Sequence, residues 1–267
     1  MQHTIPDQSA WTTQKNVVFA LFTRELKARF SHFRLGYVWA VGEPVAFVAI
    51  LSALRMVMGR QDIAGVPYPL FFASGIIPYL FFQTLVNQSI NIVSSNMALM
   101  NYKVVKPADP LVAKCILEVI IYSSSGIIII TCLAFIGFRF EWNNTMGVIL
   151  VISCHISFVL GVSLIVSVAG AYIHESKKIV PILVRPLFFL SGIFYPAESL
   201  PVKYRDILLW NPLLHVSELL RESIFADYQS HEGSLRFLFT SALITLFTGI
   251  YVYRINRLRL ISSGAIR

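Results

Sequence analysis

Three charged residues, Glu43, Glu118 and Arg185, lie inside long apolar stretches of the sequence. Each sits about six or seven residues from one end of its stretch, or roughly 10 Å at the rise of a helix. A charge in the middle of a bilayer costs about 2.5–3.5 kcal/mol on insertion scales. Their shared depth permits the three charges to pair, with Arg185 between the two carboxylates. Two interpretations stay open. The charges could form a cluster at the cytoplasmic mouth of a pathway. Alternatively they are structural, as a salt bridge between helices or as a protonated glutamate.

Motifs for catalysis and for metal binding are absent from the sequence. No lysine precedes a serine or threonine, which excludes a phosphate-binding loop of the G-x-x-x-x-G-K-[ST] type. Neither a zinc-protease H-E-x-x-H nor a G-x-S-x-G elbow occurs. The three cysteines show no C-x-x-C spacing. We therefore expect a non-catalytic chain without a cofactor of its own, and any work done with ATP must use ATP and Mg²⁺ held by a partner.

The elements that carry these charges are membrane-spanning helices. The chain has 267 residues, of which 56% are hydrophobic and 13% charged, against about 25% charged in an average soluble domain. Six apolar stretches are long enough, or nearly so, to cross a hydrocarbon core of about 30 Å. The sequence predicts an all-α membrane protein with six transmembrane helices at about 36–57, 69–92, 111–138, 145–172, 179–195 and 235–253.

The net charge of +8 follows from the loops between these helices. With six crossings both termini share a side, and that side carries fourteen of the basic residues against six on the other. Basic residues concentrate in cytoplasmic loops, so both termini are predicted to be cytoplasmic. No basic soluble domain is present, and we expect no nucleic-acid partner.

Ahead of the first span, residues 15–34 form a predicted amphipathic helix at the membrane interface. Its apolar residues recur at steps of three or four: Val18, Phe22, Leu26, Phe30 and Phe33. Arg24, Lys27 and Arg34 share the opposite face and could attract the anionic head group of a lipid anchor. Glu25 and Arg29 are spaced to pair within the helix.

Aromatic residues crowd the second span and predict a surface on which sugar rings could slide. The candidates for a channel lining are Phe71, Phe72, Tyr79 and Phe82. An aromatic belt at the membrane interface is the alternative.

Two segments outside the spans also invite functional interpretations. The loop at about 94–110 protrudes on the predicted cytoplasmic side, with Asn96, Asn101, Tyr102 and Lys103 as candidates for contact with an ATPase. The segment at about 196–232 is too polar to span and too apolar to be a free loop, which predicts short re-entrant or periplasmic helices. It could cap an outer mouth with Tyr195, Trp210, His215, Glu218 and Arg221.

Several of these stretches, taken in order, resemble the permease subunit of ABC-2 type exporters, and most closely its capsular polysaccharide, KpsM-type, branch. They are RELKARF (24–30), LGYVW (35–39), SGIIPYLFF (74–82), NYKVVKPAD (101–109), LSGIFY (190–195) and LWNPLLH (209–215). The resemblance implies a cytoplasmic tail and interface helix over 1–34 and an ABC-2 type transmembrane domain over 35–267. It also implies a coupling helix at about 96–106. Members of this family are expected to have a proline soon after the position of Tyr102, where this chain has Lys103, Val104 and Val105. The coupling helix is therefore expected to end slightly later than in the family.

The resemblance further implies a homodimer in the bacterial inner membrane, each copy binding one nucleotide-binding ATPase subunit. The expected cargo is a lipid-linked capsular polysaccharide, handed on to periplasmic and outer-membrane export components. Within the family, O-antigen, teichoic acid or a small drug are alternatives. From a different class, a membrane acyl- or glycosyltransferase would need a catalytic histidine or an aspartate pair at a membrane face, and a non-transporting scaffold would not need three intramembrane charges.

Overall fold

The computed structural model describes residues 9–30, 36–57, 59, 62–100, 102, 104–138 and 141–262. Within these ranges the chain is almost entirely helical. The two strands, β1 (Asp62–Ile63) and β2 (Val66–Pro67), form one antiparallel hairpin that pairs Asp62 with Pro67. The helices are α1 (Ala10–Phe30), α2 (Gly36–Val57), α3 (Tyr68–Ser89), α4 (Ile92–Ser95), α5 (Met97–Met100), α6 (Asp109–Ile136), α7 (Thr145–Tyr172), α8 (Ser176–Leu190), α9 (Val202–Leu208), α10 (Pro212–Ile224) and α11 (Leu235–Ser262).

The expected all-α membrane protein is confirmed. In the described part of the chain, four helices (α3, α6, α7 and α11) are long and apolar enough to cross a membrane. Helices α2 and α7 have the bounds of the apolar stretches that predicted them. Helix α8 has only 15 residues, fewer than the roughly 20 that a straight crossing needs.

Local sequence signals set several helix ends. Asn144 caps α7, because its side-chain oxygen accepts a hydrogen bond from the Gly147 N–H at 3.0 Å. Asn211 caps α10 in the same way, and Pro212 follows at the first helical position. Gly137 ends α6 in the left-handed region, with φ of +105°.

Helix α3 is the centre of the bundle. Fifteen of its 22 residues are buried, and it packs against α2, α6, α7 and α10. The aromatic residues predicted to line a channel belong to this core: Phe71, Phe72, Tyr79 and Phe82 are all buried. Their rings contact other side chains of the same chain, such as Phe188 against Tyr79 and Phe194 against Phe72. In this conformation the four rings offer no surface to a substrate, so the packing gives the lining role no support and that role stays a prediction.

Helices α7 and α11 approach each other closely, backbone against backbone. A Cβ added at Gly161 would lie 2.5 Å from the backbone nitrogen of Leu246, and one added at Gly249 would lie 2.5 Å from the Gly161 carbonyl oxygen. Small residues let membrane helices approach this closely. Neither contact could be relieved by a side-chain rotation, since the neighbouring atoms are backbone.

The different surroundings of two glycines predict opposite effects for their substitution by alanine. Gly161→Ala should lower the free energy of unfolding by about 1–3 kcal/mol through overpacking. Gly42→Ala in α2, where an added Cβ meets nothing within 4 Å, should raise it by about 0.5–1 kcal/mol, because alanine has less conformational freedom to lose. Thermal unfolding of the purified variants in detergent measures both, and equal melting temperatures would contradict the packing described.

Candidate functional site

Helix α1 lies along the first half of α6. Phe22 and Leu26, on the predicted apolar face of α1, pack against the buried Leu117 and Ile121 of α6. This part of the face is therefore turned toward the protein rather than toward lipid. The packing brings the polar residues of α1 beside a row of polar residues on α6.

A polar network joins the two helices along this contact. Gln14 Nε2 donates to the Asp109 carboxylate at 2.6 Å, Lys114 Nζ lies 3.4 Å from Glu25, and Arg29 forms an ion pair with Glu118. Glu118 is fully buried and also accepts from Gln88 Nε2 of α3 at 3.0 Å. We call these contacts, with Arg24 and Asn96 described next, the α1–α6 network.

Arg24 connects the network to the predicted coupling loop. Its guanidinium donates to the side-chain oxygen of Asn96, which is buried, and to Glu25 at 2.8 Å. Lys27 is exposed beside it, whereas Arg34, the third predicted lipid-anchor contact, lies outside the described residues. The structure thus shows Arg24 in a protein contact.

The coupling loop is more broken than predicted. Instead of one helix over about 96–106, the chain forms the four-residue helices α4 and α5, and the helix α5 ends at Met100. The expected later end is wrong, because the described residues from Val104 to Ala108 form turns and irregular chain. Tyr102 is 67% exposed; Asn101 and Lys103 lie outside the described residues.

Three contacts hold the far end of the coupling loop. The Lys106 N–H donates to the Asp109 carboxylate at 2.8 Å, and Asp109 is the residue that Gln14 also contacts. The Ala108 N–H donates to the Tyr253 hydroxyl of α11 at 3.3 Å. A displacement of the loop would therefore act on α1, α6 and α11 together.

The predicted pairing of the intramembrane charges is wrong. Glu118 pairs with Arg29 of α1 rather than with Arg185, while Glu43 and Arg185 both have exposed side chains. The reason is that α1 covers this face of α6, whereas α8, which carries Arg185, packs on α3 and α7. The predicted pair of Glu25 with Arg29 is also replaced, since Glu25 meets Arg24 and Lys114.

Within the gate segment, as we call residues 196–232, Glu218 and Arg221 form a buried ionic cluster. Glu218 accepts hydrogen bonds from the Ala197 N–H at 2.9 Å, the Tyr228 hydroxyl at 2.7 Å and the Ser230 hydroxyl at 2.9 Å. Arg221 lies 3.6 Å from Glu218.

Arg221 attaches the same cluster to the core of the bundle. Its guanidinium donates to the Phe71 carbonyl at 3.3 Å and the Ile193 carbonyl at 3.2 Å, and lies 3.6 Å from the centre of the Phe71 ring. A cation over an aromatic face is attracted by the ring's quadrupole. The gate segment is thereby fixed to α3.

The other predicted gate residues differ in their surroundings. The Tyr195 hydroxyl donates to the Phe189 carbonyl at 2.7 Å, and Trp210 is 80% exposed. His215 is buried: its Nε2 lies 2.8 Å from the Leu209 carbonyl and its Nδ1 accepts from the Ser234 N–H at 3.1 Å. Because a carbonyl only accepts, Nε2 carries the proton of a neutral imidazole.

These contacts make the attachment of α10 sensitive to acid. Burial lowers the pKa of His215 below its ordinary value of about 6.5, while the Leu209 carbonyl and, beyond it, Glu218 and Glu232 act in the opposite direction. The unfolded chain therefore takes up a proton before the folded one does. Stability from this group is present above pH of about 6.5 and is lost as the pH falls toward the lower folded value.

We accordingly expect the melting temperature to fall between pH 7.5 and 5.5, and the variant His215→Gln to lose part of that dependence. His231→Gln, which changes an exposed histidine, is the matched control. If the wild type and His215→Gln lose the same number of degrees, this account of His215 is wrong.

Sequence reasoning missed the partners of both buried clusters. Arg29, Gln88 and Tyr228 complete them, and none was assigned to them. The one available signal was a polar residue placed where lipid would not tolerate it, as for Gln88 in the second span. Tyr228 lies in the loop after α10, and a loop position gives no such signal.

Comparison with known proteins agrees with this architecture. The sequence profile of the ABC-2 type transporter family matches residues 16–225. The polysialic acid transport protein KpsM of Escherichia coli is 38% identical over 256 residues, covering 96% of this chain and 99% of KpsM. The capsule polysaccharide export inner-membrane protein BexB of Haemophilus influenzae is 23% identical over 90% of this chain and 91% of BexB. The O-antigen export system permease protein RfbA of Klebsiella pneumoniae is 20% identical over 91% of this chain and 92% of RfbA. The resemblance found in the sequence is confirmed, and the chain belongs to the ABC-2 type transporter family.

Proposed function

We propose that the chain is the transmembrane permease subunit of an ABC exporter that moves a lipid-linked capsular polysaccharide across a bacterial inner membrane. The observation that carries this proposal is the 38% identity to KpsM over nearly the whole of both chains. The 20% identity to RfbA supports export of O-antigen less strongly. Energy comes from an ATPase on a separate chain, because no phosphate-binding loop is present here.

In this proposal α2, α3, α6, α7, α8 and α11 are six crossings, and both termini are cytoplasmic. The excess of basic residues on the side of the termini supports the orientation. Helix α8 crosses as a short helix continued by the chain before the gate segment.

Two exposed charges support a homodimer. Phe47 of α2 and Phe188 of α8 are in edge-to-face contact at 6.1 Å, and Glu43 and Arg185 lie about one turn away from them on the same two helices. Charged side chains on spanning helices face a protein or a water-filled cavity rather than lipid. A second copy on this edge would give Glu43 and Arg185 partners, and the export path would run between the copies.

The α1–α6 network supports a route for the force of ATP hydrolysis. The partner ATPase would bind the coupling loop around Tyr102, and its movement would reach α1 through Arg24 and Asn96. The ion pair of Arg29 and Glu118 would pass that movement to α6. Of the two predicted lipid-anchor residues that the structure describes, Arg24 and Lys27, Lys27 is exposed on α1 and has its charge free for an anionic head group.

On the outer side, the gate segment would close the path until the polymer arrives, and Trp210 would meet the periplasmic export components or the membrane interface.

Substituting glutamate for Lys27 is expected to reduce export without reducing expression. Unchanged export would remove the lipid-anchor site from this proposal.

Deletion of the gene in its native host tests the cargo. The proposal predicts loss of capsule with intact O-antigen, restored by the wild-type chain; loss of O-antigen with intact capsule would identify the alternative.

The purified chain should hydrolyse no ATP, and hydrolysis should begin only with the partner ATPase. ATP hydrolysis by the chain alone, verified with a partner-free preparation, would contradict a division of labour between two chains.

A further inference from the structure

Helix α11 is longer than a membrane crossing requires. Its 28 residues, Leu235–Ser262, extend for about 42 Å at the rise of an α-helix, whereas the hydrocarbon core is about 30 Å thick. A crossing of about 20 residues that begins at Leu235 ends at Arg254. The last two turns, 255–262, therefore lie in the head-group layer on the side of the two termini, which is cytoplasmic in the proposed orientation.

An arginine interrupts the apolar outward face of α11 at this depth. Phe247, Tyr251 and Leu258 are 75%, 59% and 79% exposed, and their spacing of four and seven residues places them on one side of the helix. Arg254 is also exposed and lies on that side, between Tyr251 and Leu258. Because apolar side chains continue beyond it, the Arg254 guanidinium lies at the boundary between lipid and water rather than in open solvent.

A second arginine stands one turn further along the helix. Arg257 is exposed and follows Arg254 by three residues, so the two side chains are neighbours on the helix surface. Helix α11 contains no aspartate or glutamate, and among the described residues neither arginine forms an ion pair. The carboxylate of Asp109, which lies near this end of α11, is already bound by Gln14 and by the Lys106 N–H. The described chain thus supplies two positive charges at head-group depth and no counter-charge for them.

We propose that Arg254 and Arg257 bind the phosphate of an anionic phospholipid whose acyl chains lie along Phe247 and Tyr251. Guanidinium groups match phosphate oxygens in geometry as well as in charge. A zwitterionic phospholipid also has a phosphate, but its own cation offsets that charge, so an anionic head group should be preferred. The site uses none of the predicted lipid-anchor residues of α1. It goes beyond the proposed function, since it requires nothing of the exported cargo.

The bound lipid would also act on the coupling loop. The Tyr253 hydroxyl, which accepts the Ala108 N–H at 3.3 Å, belongs to the turn of α11 between the two arginines. A lipid that holds both arginines would steady this turn. We therefore expect hydrogen exchange at the Ala108 amide to slow when phosphatidylglycerol is added to the wild-type chain. Unchanged exchange at saturating lipid would overturn this link.

Native mass spectrometry of the full chain in detergent tests the site itself. Dioleoyl phosphatidylglycerol and dioleoyl phosphatidylcholine have the same acyl chains and differ in net charge. We expect one molecule of phosphatidylglycerol to bind about thirtyfold more tightly than phosphatidylcholine, with roughly fivefold from each arginine. Inorganic phosphate should not compete, because it has no chains for the apolar face. Equal affinity for the two lipids would overturn the proposal.

Variants locate that preference on α11. The double variant Arg254→Gln, Arg257→Gln should lose it, whereas lysine at both positions, which keeps the charge, should retain most of it. Arg254→Gln alone should lose about fivefold and serves if the double variant does not fold. Arg236→Gln, which changes an exposed arginine at the opposite end of the same helix, is the matched control and should bind as the wild type does.

Three results would overturn the assignment. The first is an equal loss of the preference in Arg236→Gln and in the double glutamine variant. The second is tighter binding of a prenyl phosphate than of phosphatidylglycerol, which would make the two arginines a site for the cargo's lipid carrier. The third is a double glutamine variant that keeps its lipid preference and fails to bind the partner ATPase, which would make them a protein contact.

Discussion

Replacing Arg29 with methionine should destabilise the protein by about 3–5 kcal/mol, the loss expected when a buried ion pair keeps only one of its charges. Glu118 is fully buried, and without Arg29 it would keep only the hydrogen bond from Gln88. Glu118→Leu should cost less, because the Arg29 side chain is 28% exposed and can turn toward water. The double variant should recover at least half of the loss caused by Arg29→Met.

The measurement is a double-mutant cycle on melting temperature in detergent, with ATP-driven export recorded for each variant. Lys27→Met removes an exposed charge from the same helix and should change stability by less than about 0.5 kcal/mol. If Arg29→Met is as stable as Lys27→Met, the α1–α6 network does not hold these helices together.

Removing the carboxylate of Glu218 should detach the gate segment from the bundle. Glu218→Ala would leave Arg221 buried without its counter-charge and would deprive Ala197, Tyr228 and Ser230 of their acceptor. A loss of about 3–5 kcal/mol is again expected, concentrated in one segment. Export should fall because the segment could no longer return to its closed position.

Cysteine labelling reports that detachment directly. Ala197 is fully buried, so a cysteine placed there by Ala197→Cys, in a chain without its three native cysteines, should react slowly with a water-soluble maleimide. Glu218→Ala should raise that rate at least tenfold, whereas Glu198→Ala, which changes an exposed neighbour, should not. Equal rates in both backgrounds would show that Glu218 does not fasten the segment.

The long helices could be predicted from sequence because a membrane-spanning helix requires only a long enough run of apolar residues along the chain. An apolar run of about 20 residues has to cross the hydrocarbon, and the run at 145–172 coincides with α7. The coupling loop was harder, since Arg24 and Tyr253, from distant parts of the chain, contact it at Asn96 and at Ala108.

The ion pairs could not be predicted because depth in the membrane does not determine the direction in which a side chain points. Glu43, Glu118 and Arg185 have a similar predicted depth, yet Glu118 is the one that pairs with Arg29 of α1 among the described residues. Arg29 lies four residues after Glu25, a spacing that favours an ion pair within one helix. Its actual partner, Glu118, is distant in the sequence and is close to it only in the folded chain. The aromatic residues of α3 show the same limit: composition identified them, but only packing reveals that Phe72 and Tyr79 point into the core.

Reconstituted transport tests the central claim most directly. The chain and its partner ATPase are placed in liposomes with a lipid-linked capsular glycan on the outer leaflet, and protection of the glycan from an added glycosidase is followed. The proposal predicts protection that requires both chains and hydrolysable ATP, and that is lost in Arg29→Met and Glu218→Ala. Protection without the ATPase, or none with both chains and ATP present, would contradict it.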